Sequence, residues 1–415
     1  MASRPYLILT LCLVACGGTA IHTVPTSVDA CPPECSVKGF APPAGQERYC
    51  ATSTGLRHGP YMAWYENSTL KESGHYDDGL KAGPWETYHP NGVLASRGSY
   101  AAGAEHGPWT FYFASGEVQS KGAYSNGELV GEWTYFNTNG TVATHGKYEK
   151  GLRVGRWKAF WENGQPSSEG VYVLDKKQGP WQFWHGNGER DSTGVYRDDL
   201  PDGAWVFWNA AGVKIQEGSY DLGTATSTWS YWHDDGTQKA IGAFVNGQQD
   251  GPWQFWHPNG NRETEGVYSA GLAEGPWTSW DTQGRRLEEG QYRAGQRQGA
   301  WRGYSAGKLA WEGDYTADAM DGTWRYYFPN GRVSSEGEYV DGQAFGVWQW
   351  WYESGSLKSK GTLEGDVRQG TWEFFWPNGQ LRTSGTYLNG VATGQWTTFD
   401  ESGKEIPATQ PPTDL

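Results

Sequence analysis

Tryptophan recurs every 24 residues through most of the chain, at Trp85, Trp109, Trp133, Trp157, Trp181, Trp205, Trp229, Trp253, Trp277 and Trp301. One residue is then lost, and the series resumes at Trp324, Trp348, Trp372 and Trp396, with Tyr61 in the slot before the first. A fixed period of this length marks a repeat array. Such arrays are stabilised by each unit packing on its neighbours, not by one central core.

The unit is read by counting the tryptophan as position zero. A glycine stands two residues before it in most units (Gly83, Gly107, Gly131, Gly155, Gly251), with Ser227 the exception. An aromatic follows at plus three (Tyr88, Tyr112, Phe136, Trp232, Tyr327). An Asn-Gly pair often fills plus six and seven (Asn91-Gly92, Asn139-Gly140, Asn259-Gly260, Asn378-Gly379). Glycine returns at plus thirteen (Gly98, Gly122, Gly194) and tyrosine at plus fifteen (Tyr100, Tyr124, Tyr196). Asn-Gly between aromatic and β-branched runs signals a hairpin with a two-residue type I′ turn. Helix is disfavoured, because each phased glycine costs it about 1 kcal/mol.

The expected fold is therefore all-β: about 15 β-hairpins forming an elongated antiparallel sheet or solenoid over residues 55–403. A turn centred on plus six and seven pairs position i with 13 minus i. Trp then faces the Gly at plus thirteen, and Tyr at plus fifteen faces the Gly at minus two. Each ring covers a bare backbone. Alternation along the strands puts Trp, the plus-two residue, an often aliphatic plus nine (Leu94, Val118, Leu381) and Tyr on one face, taken as the core. The other face carries polar plus one and plus twelve, with the plus-three aromatic among them. The link between hairpins is either a four-residue loop without stagger or a tighter turn with a two-residue stagger.

A net charge of −14 argues against nucleic acid as a partner, since that needs a basic footprint. Near the N-terminus, Arg4 precedes a short apolar run ending Leu13-Val14-Ala15-Cys16. The run is too short to span a bilayer as a helix and reads as a signal peptide, residues 1–16. Leu-Val-Ala-Cys resembles the lipobox of bacterial lipoproteins. That resemblance implies acylation of Cys16, a lipid anchor in the membrane and, with Gly17 following, sorting to the outer membrane. Residues 17–54 are expected to be a linker carrying Cys31, Cys35 and Cys50, and residues 404–415 a disordered tail. Export permits disulfides. A Cys35–Cys50 or Cys31–Cys50 bridge would cap the first hairpin and leave one thiol over.

No zincin, phosphate-loop or Cys-x-x-Cys motif is present in the sequence. His89, His185, His233 and His257 share plus four, but equivalent positions lie two strands apart, roughly 9–10 Å. Metal ligands must converge to about 2 Å from the ion, so the column reads as polar residues beside turns. Glu265, Glu289, Glu312 and Glu336 form an acidic stripe. A catalytic carboxylate pair needs two unlike environments, which a repeated column does not offer. Neither catalysis nor a cofactor or metal site is expected. The better candidate is the plus-three column, Trp184, Trp208, Trp232, Trp256 and Trp280, as a ladder for a protein or glycan ligand; the competing reading buries these rings as core.

The unit Gly-x-Trp-x-x-aromatic-x-x-Asn-Gly, then Gly-x-Tyr-x-x-Gly, resembles the MORN-repeat variant of bacterial proteins; Gly131-Glu132-Trp133-Thr134-Tyr135-Phe136-Asn137-Thr138-Asn139-Gly140 fits it throughout. Such proteins are often assigned to YwqK-family antitoxins. The resemblance implies a non-enzymatic binding or scaffold role in the cell envelope, with an antitoxin or immunity role as the alternative and a glycan-active enzyme as a remote one. Ser227, Phe244, Leu363 and the shortened Ala306-Gly307 depart from the pattern.

Replacing Cys16 with serine is expected to abolish fatty-acid labelling and release the protein into the soluble fraction. Fractionation of labelled cells checks this, and unchanged labelling would refute the anchor.

Overall fold

The computed structural model describes residues 23–407. The segment expected to be a signal peptide, with Cys16, lies outside the described residues, as do residues 408–415. Among the described residues the chain forms 33 strands and no helix. Two compact units divide it, residues 1–178 with 186–188 and residues 179–185 with 189–415. Within each, strands follow one another as antiparallel neighbours in chain order.

The hairpin pairing is as expected near the tryptophan. Trp109 pairs with Gly122, and Gly107 with Tyr124. The turn differs. His89 donates its N–H to Val93 O, and Gly92 donates to His89 O, each at 2.8 Å. Only Gly92, at φ +84°, has a positive φ in this loop. This is a three-residue loop, a type I turn closed by a left-handed glycine, and not the two-residue type I′ turn. It shifts pairing by one, so Tyr88 faces Leu94, and a bulge at Ala95 restores the register at Thr87 and Ser96. The asparagine is there for its side chain. Asn91 Oδ1 accepts from Val93 N–H, and its amide donates to Ala114 O of the next hairpin at 2.8 Å.

The bulge also corrects the face assigned to plus nine. That residue stands opposite the plus-three aromatic and shares its side of the sheet, so it does not belong with the core tryptophans.

The type I′ turns are the links. Ala102 and Gly103, at φ +49° and +83°, join Ala101 to Ala104. The tighter of the two expected links is the one formed. Pairing then slips by two residues, with Ser99 opposite His106 but Arg97 opposite Thr110. Three residues, Gly107-Pro108-Trp109, thus stand across from Gly98 alone. Gly107 takes φ +71°, and Pro108 has no N–H to donate where the ladder is interrupted.

This wide bulge swings Trp109 back over the preceding hairpin. Its ring lies on Gly98, not on its own partner Gly122, and its Nε1–H donates to Ser99 O at 3.1 Å. The same contact recurs for Trp133 on Gly122, Trp253 on Gly242 and Trp348 on Gly337. The expected cover of a bare glycine holds, but it runs between hairpins. The indoles are buried: Trp85 at 0%, Trp229 at 1%. Tyrosines fill the spaces edge-on, as Trp85–Tyr100–Trp109–Tyr124–Trp133 at 5.2–6.0 Å between centroids. The plus-two ring stacks between successive indoles as well, as Phe111 does between Trp109 and Trp133, and where Leu363 replaces tyrosine Trp350 still stacks between Trp348 and Trp372, at 5.8 and 5.5 Å.

The segment expected to be a linker is partly built into the sheet. Strands β1 (Cys35–Phe40) and β2 (Glu47–Thr52) form a hairpin, and β2 pairs with β3 (Arg57–Trp64). The disulfide is Cys31–Cys50, and Cys35 is free. Cys35 pairs with Thr52, while Cys50 pairs with Val37. Cys35 and Cys50 are thus diagonal neighbours, about 7–8 Å apart, beyond the span of a disulfide. At the other end, Glu405 and Ile406 of the expected tail pair with Phe399 and Thr398. Backbone hydrogen bonds to an otherwise open edge strand account for that order.

Two outcomes follow from this packing. A Cβ on Gly218 would stand 2.1 Å from the Trp229 ring. Gly218→Ala is expected to destabilise by about 1–3 kcal/mol or more. Gly186→Ala, with open space and an ordinary φ, is expected to be near neutral. Thermal or urea unfolding of the two variants compares them. Separately, burial pushes the hydroxyls of Tyr100, Tyr124, Tyr220 and Tyr268 above the usual tyrosine range, and that of Tyr88 up to about 12. A raised folded pKa gives stability that is whole below about pH 10, the unfolded value, and lost as pH rises through the folded values. The array is expected to unfold in strong alkali with phenolate absorbance and loss of β circular dichroism appearing together.

Candidate functional site

Three columns stand on the face opposite the packed tryptophans: plus one, plus three with its partner plus nine, and plus twelve. At the first hairpin this face is covered by the chain itself. Val28 and the Cys31–Cys50 disulfide pack on Met62, Trp64 and Leu70, and Ser73 Oγ donates to Pro25 O at 2.8 Å. There plus one and plus nine are apolar, so an apolar segment seats on them.

Further along, the chemistry of the column changes as a block. The aromatic at plus three faces an apolar residue in Tyr88–Leu94, Tyr112–Val118, Phe136–Val142, Phe160–Pro166, Tyr304–Leu309, Tyr327–Val333, Trp351–Leu357 and Phe375–Leu381. In five consecutive hairpins of the second unit the pair is different: Trp184–Arg190, Trp208–Lys214, Trp232–Gln238, Trp256–Arg262 and Trp280–Arg286. These five tryptophans are the ladder residues expected from the sequence. All five are half-buried, neither sealed like Trp205 or Trp253 nor fully open.

Cations pack beside the rings. Arg190 lies over Trp208 at 5.3 Å, Lys214 over Trp232 at 4.0 Å and Arg262 over Trp256 at 5.1 Å. Each is a cation–π contact across the face. Three of the cations also reach a plus-twelve carboxylate: Lys214 to Glu217 at 3.0 Å, Arg286 to Glu289 at 2.8 Å, and Arg262 to Glu265. The face therefore presents indole platforms flanked by charge-balanced donors and acceptors.

The histidine column braces these platforms. His185 Nε2 meets Trp208 O at 2.9 Å, His233 Nε2 meets Trp256 O at 2.8 Å, and His257 Nε2 meets Trp280 O at 2.9 Å. His89 does the same at Tyr112 O. Tyr65, Tyr352 and Trp376 fill plus four elsewhere and donate to the equivalent carbonyls. The position thus serves to tie one turn to the next plus-three backbone. The four histidines do not converge.

The acidic stripe is ion-paired along its length. Glu312 meets Arg302 at 3.3 Å and accepts from the Tyr327 hydroxyl at 2.6 Å; Glu336 meets Arg325 at 2.5 Å. The Tyr327 hydrogen bond, together with the arginines, holds the Glu312 carboxyl below its usual range. That is opposite to the raised value a general acid needs. Among the described residues, one set outside these columns brings metal-binding groups together: His58, Asp77 and Asp78, whose ligand atoms lie within 4.8 Å of one another. Both aspartates are exposed and stand at a link turn.

The Trp column was legible in the sequence. Its polar partners were not, because the two sit six residues apart on strands whose pairing depends on the unforeseen bulge. The switch from aliphatic to cationic at plus nine was the available signal.

Eight segments match the MORN repeat variant: residues 57–78, 81–102, 105–126, 153–173, 249–270, 320–341, 346–364 and 368–389. Over these segments the chain carries repeats that match this variant. No curated protein matches it. Among solved structures, the chain is similar to TcdB2-TccC3-Cdc42 at 10% identity and a TM-score of 0.14, over 86% of this chain and 23% of that one. It is also similar to the Photorhabdus luminescens Tc holotoxin pore carrying TccC3-D651A, at 10% identity and 0.17, over 85% and 22%. The chain thus spans under a quarter of the length of either.

Proposed function

We propose that this protein is a non-enzymatic binding scaffold of the bacterial cell envelope, anchored in the outer membrane through an acylated Cys16. Its repeats hold a ligand on the face that carries Trp184, Trp208, Trp232, Trp256 and Trp280. The observation that carries this reading is the block of five hairpins in which tryptophan is paired with Arg, Lys or Gln where the other hairpins, the terminal Phe399–Glu405 pair excepted, place an apolar residue. Folding alone gives no reason for the change. An aliphatic partner packs as well against an aromatic across a sheet, and cross-strand pairs of that kind stabilise by about 0.2–1 kcal/mol. Half-buried indoles beside polar groups are instead what a recognition surface uses.

The YwqK resemblance supports a second reading, an immunity-type protein that neutralises a toxin in its own compartment. Both readings use the same repeats, and they differ in the ligand.

Site-specific photo-crosslinking in the native envelope tests the assigned face. A benzophenone amino acid at Gln182, on the plus-one column beside the ladder, is expected to give adducts. The same group at Ala270, on a link turn, is expected to give few. Equal yields at the two positions, or none at Gln182, would overturn the assignment.

A further inference from the structure

We infer that the ligand of the five-hairpin face is an uncharged polysaccharide, lying across the strands with successive sugars stacked on the tryptophans. This inference rests on the binding-face reading above and adds the chemistry of the ligand.

The first argument is charge. The plus-nine and plus-twelve columns of this block hold Arg190, Lys214, Arg262 and Arg286 against Glu217, Glu265 and Glu289. Four cations less three carboxylates leave the block nearly neutral within a chain of net charge −14. Three of the four cations already have a carboxylate in reach. A polyanion would meet the glutamates and a polycation the arginines. A polyhydroxylated, uncharged ligand meets both favourably, since each hydroxyl both donates and accepts.

The second argument is desolvation. At the first hairpin this same face is sealed by the chain's own apolar segment, on Met62 and Leu70. A protein segment docked in the same way on the five-hairpin block would bury its ion pairs in a dry interface, at a cost that can exceed their mutual attraction. A sugar polymer keeps those groups hydrogen-bonded, directly or through water, while its C–H faces cover the indoles.

The third argument is repetition. The platforms recur once per hairpin, about 9–10 Å apart at two strands each, and His185, His233 and His257 hold the backbone of the next one in place. An evenly spaced row of like sites fits a ligand that itself repeats. Each added site then raises the effective concentration at the next.

Native affinity electrophoresis of the full chain tests the inference, with dextran, galactomannan and mixed-linkage β-glucan as uncharged probes and alginate as the charged one. At least one uncharged polymer is expected to retard the protein, and 1 M salt is expected to leave that retardation unchanged, because no counterion is exchanged. Trp208→Ala/Trp232→Ala/Trp256→Ala is expected to weaken binding about tenfold or more. The corresponding triple phenylalanine variant, which keeps a flat ring at each platform, is expected to bind within a few-fold of the parent and serves if the alanine variant fails to fold. Retardation by alginate alone, or by none of the four, overturns the uncharged-glycan assignment and leaves the Gln182 crosslinking result standing. Retardation by an uncharged polymer that a folded alanine variant retains in full overturns the face itself.

Discussion

Each hairpin is held to the one before it by an indole lying on a glycine. The contact needs three things in sequence: a glycine at minus two able to take a positive φ, a residue at minus one that gives up its ladder bond, and a bare backbone at plus thirteen of the previous unit. Gly107, Pro108 and Gly98 supply them for Trp109. A large aromatic buries about 150–250 Å², and the indole N–H recovers a net bond of about 1 kcal/mol by donating to the previous strand. Because the partner always lies one unit back, no hairpin is complete alone. Stability is a sum over neighbours, as expected of repeat arrays.

The period follows from that hook. The three-residue loop and the bulge at plus ten cancel, so register is kept within a hairpin, while the two-residue link and the wide bulge displace it between hairpins. The shortened unit shows how these parts trade. With one residue missing, Ala306 and Gly307 form a two-residue turn at φ +51° and +79°, and Trp301 still pairs with Gly313. Ser227 stands where other units have glycine and adopts φ +61° nonetheless. A conformation L-residues disfavour is sustained there because the indole of Trp229, two residues on, is fixed over Gly218.

How much of this was legible depends on the range of the interaction. Period, strand count and the pairing of Trp with Gly at plus thirteen follow from local spacing. The type I′ turn expected in the loop forms in the link instead, because Asn-Gly is ambiguous: asparagine serves a type I′ turn through its backbone, but here Asn91 bridges two hairpins through its amide. That bond joins residues 23 apart and leaves no mark within the turn. The face of plus nine went wrong for the same reason, since the loop shifts pairing by one and the unseen bulge at plus ten restores it, inverting only the side chains between them. The disulfide partner turned on register too, and Cys35 lost to Cys31 by a two-residue offset along the strand.

A repeat protein supplies its own control for function. Positions needed by the fold are set by neighbours and recur along the array, as the aromatic at zero and the glycine facing it do. A change sustained through one run of units, at a position where all the others but the terminal Phe399–Glu405 pair are apolar, is not demanded by packing. The plus-nine column makes that change from Arg190 to Arg286, together with tryptophan at every plus three in the same run. Exchanging an aliphatic residue for a cation beside a half-buried ring gives up cross-strand apolar contact, and a row of ion pairs near the surface returns little, typically 0–1 kcal/mol each. Local departures of this kind are where a sequence spends stability on something other than folding. The five-hairpin face is such a departure, and its composition, more than the repeat pattern that carries it, says what kind of molecule it is built to hold.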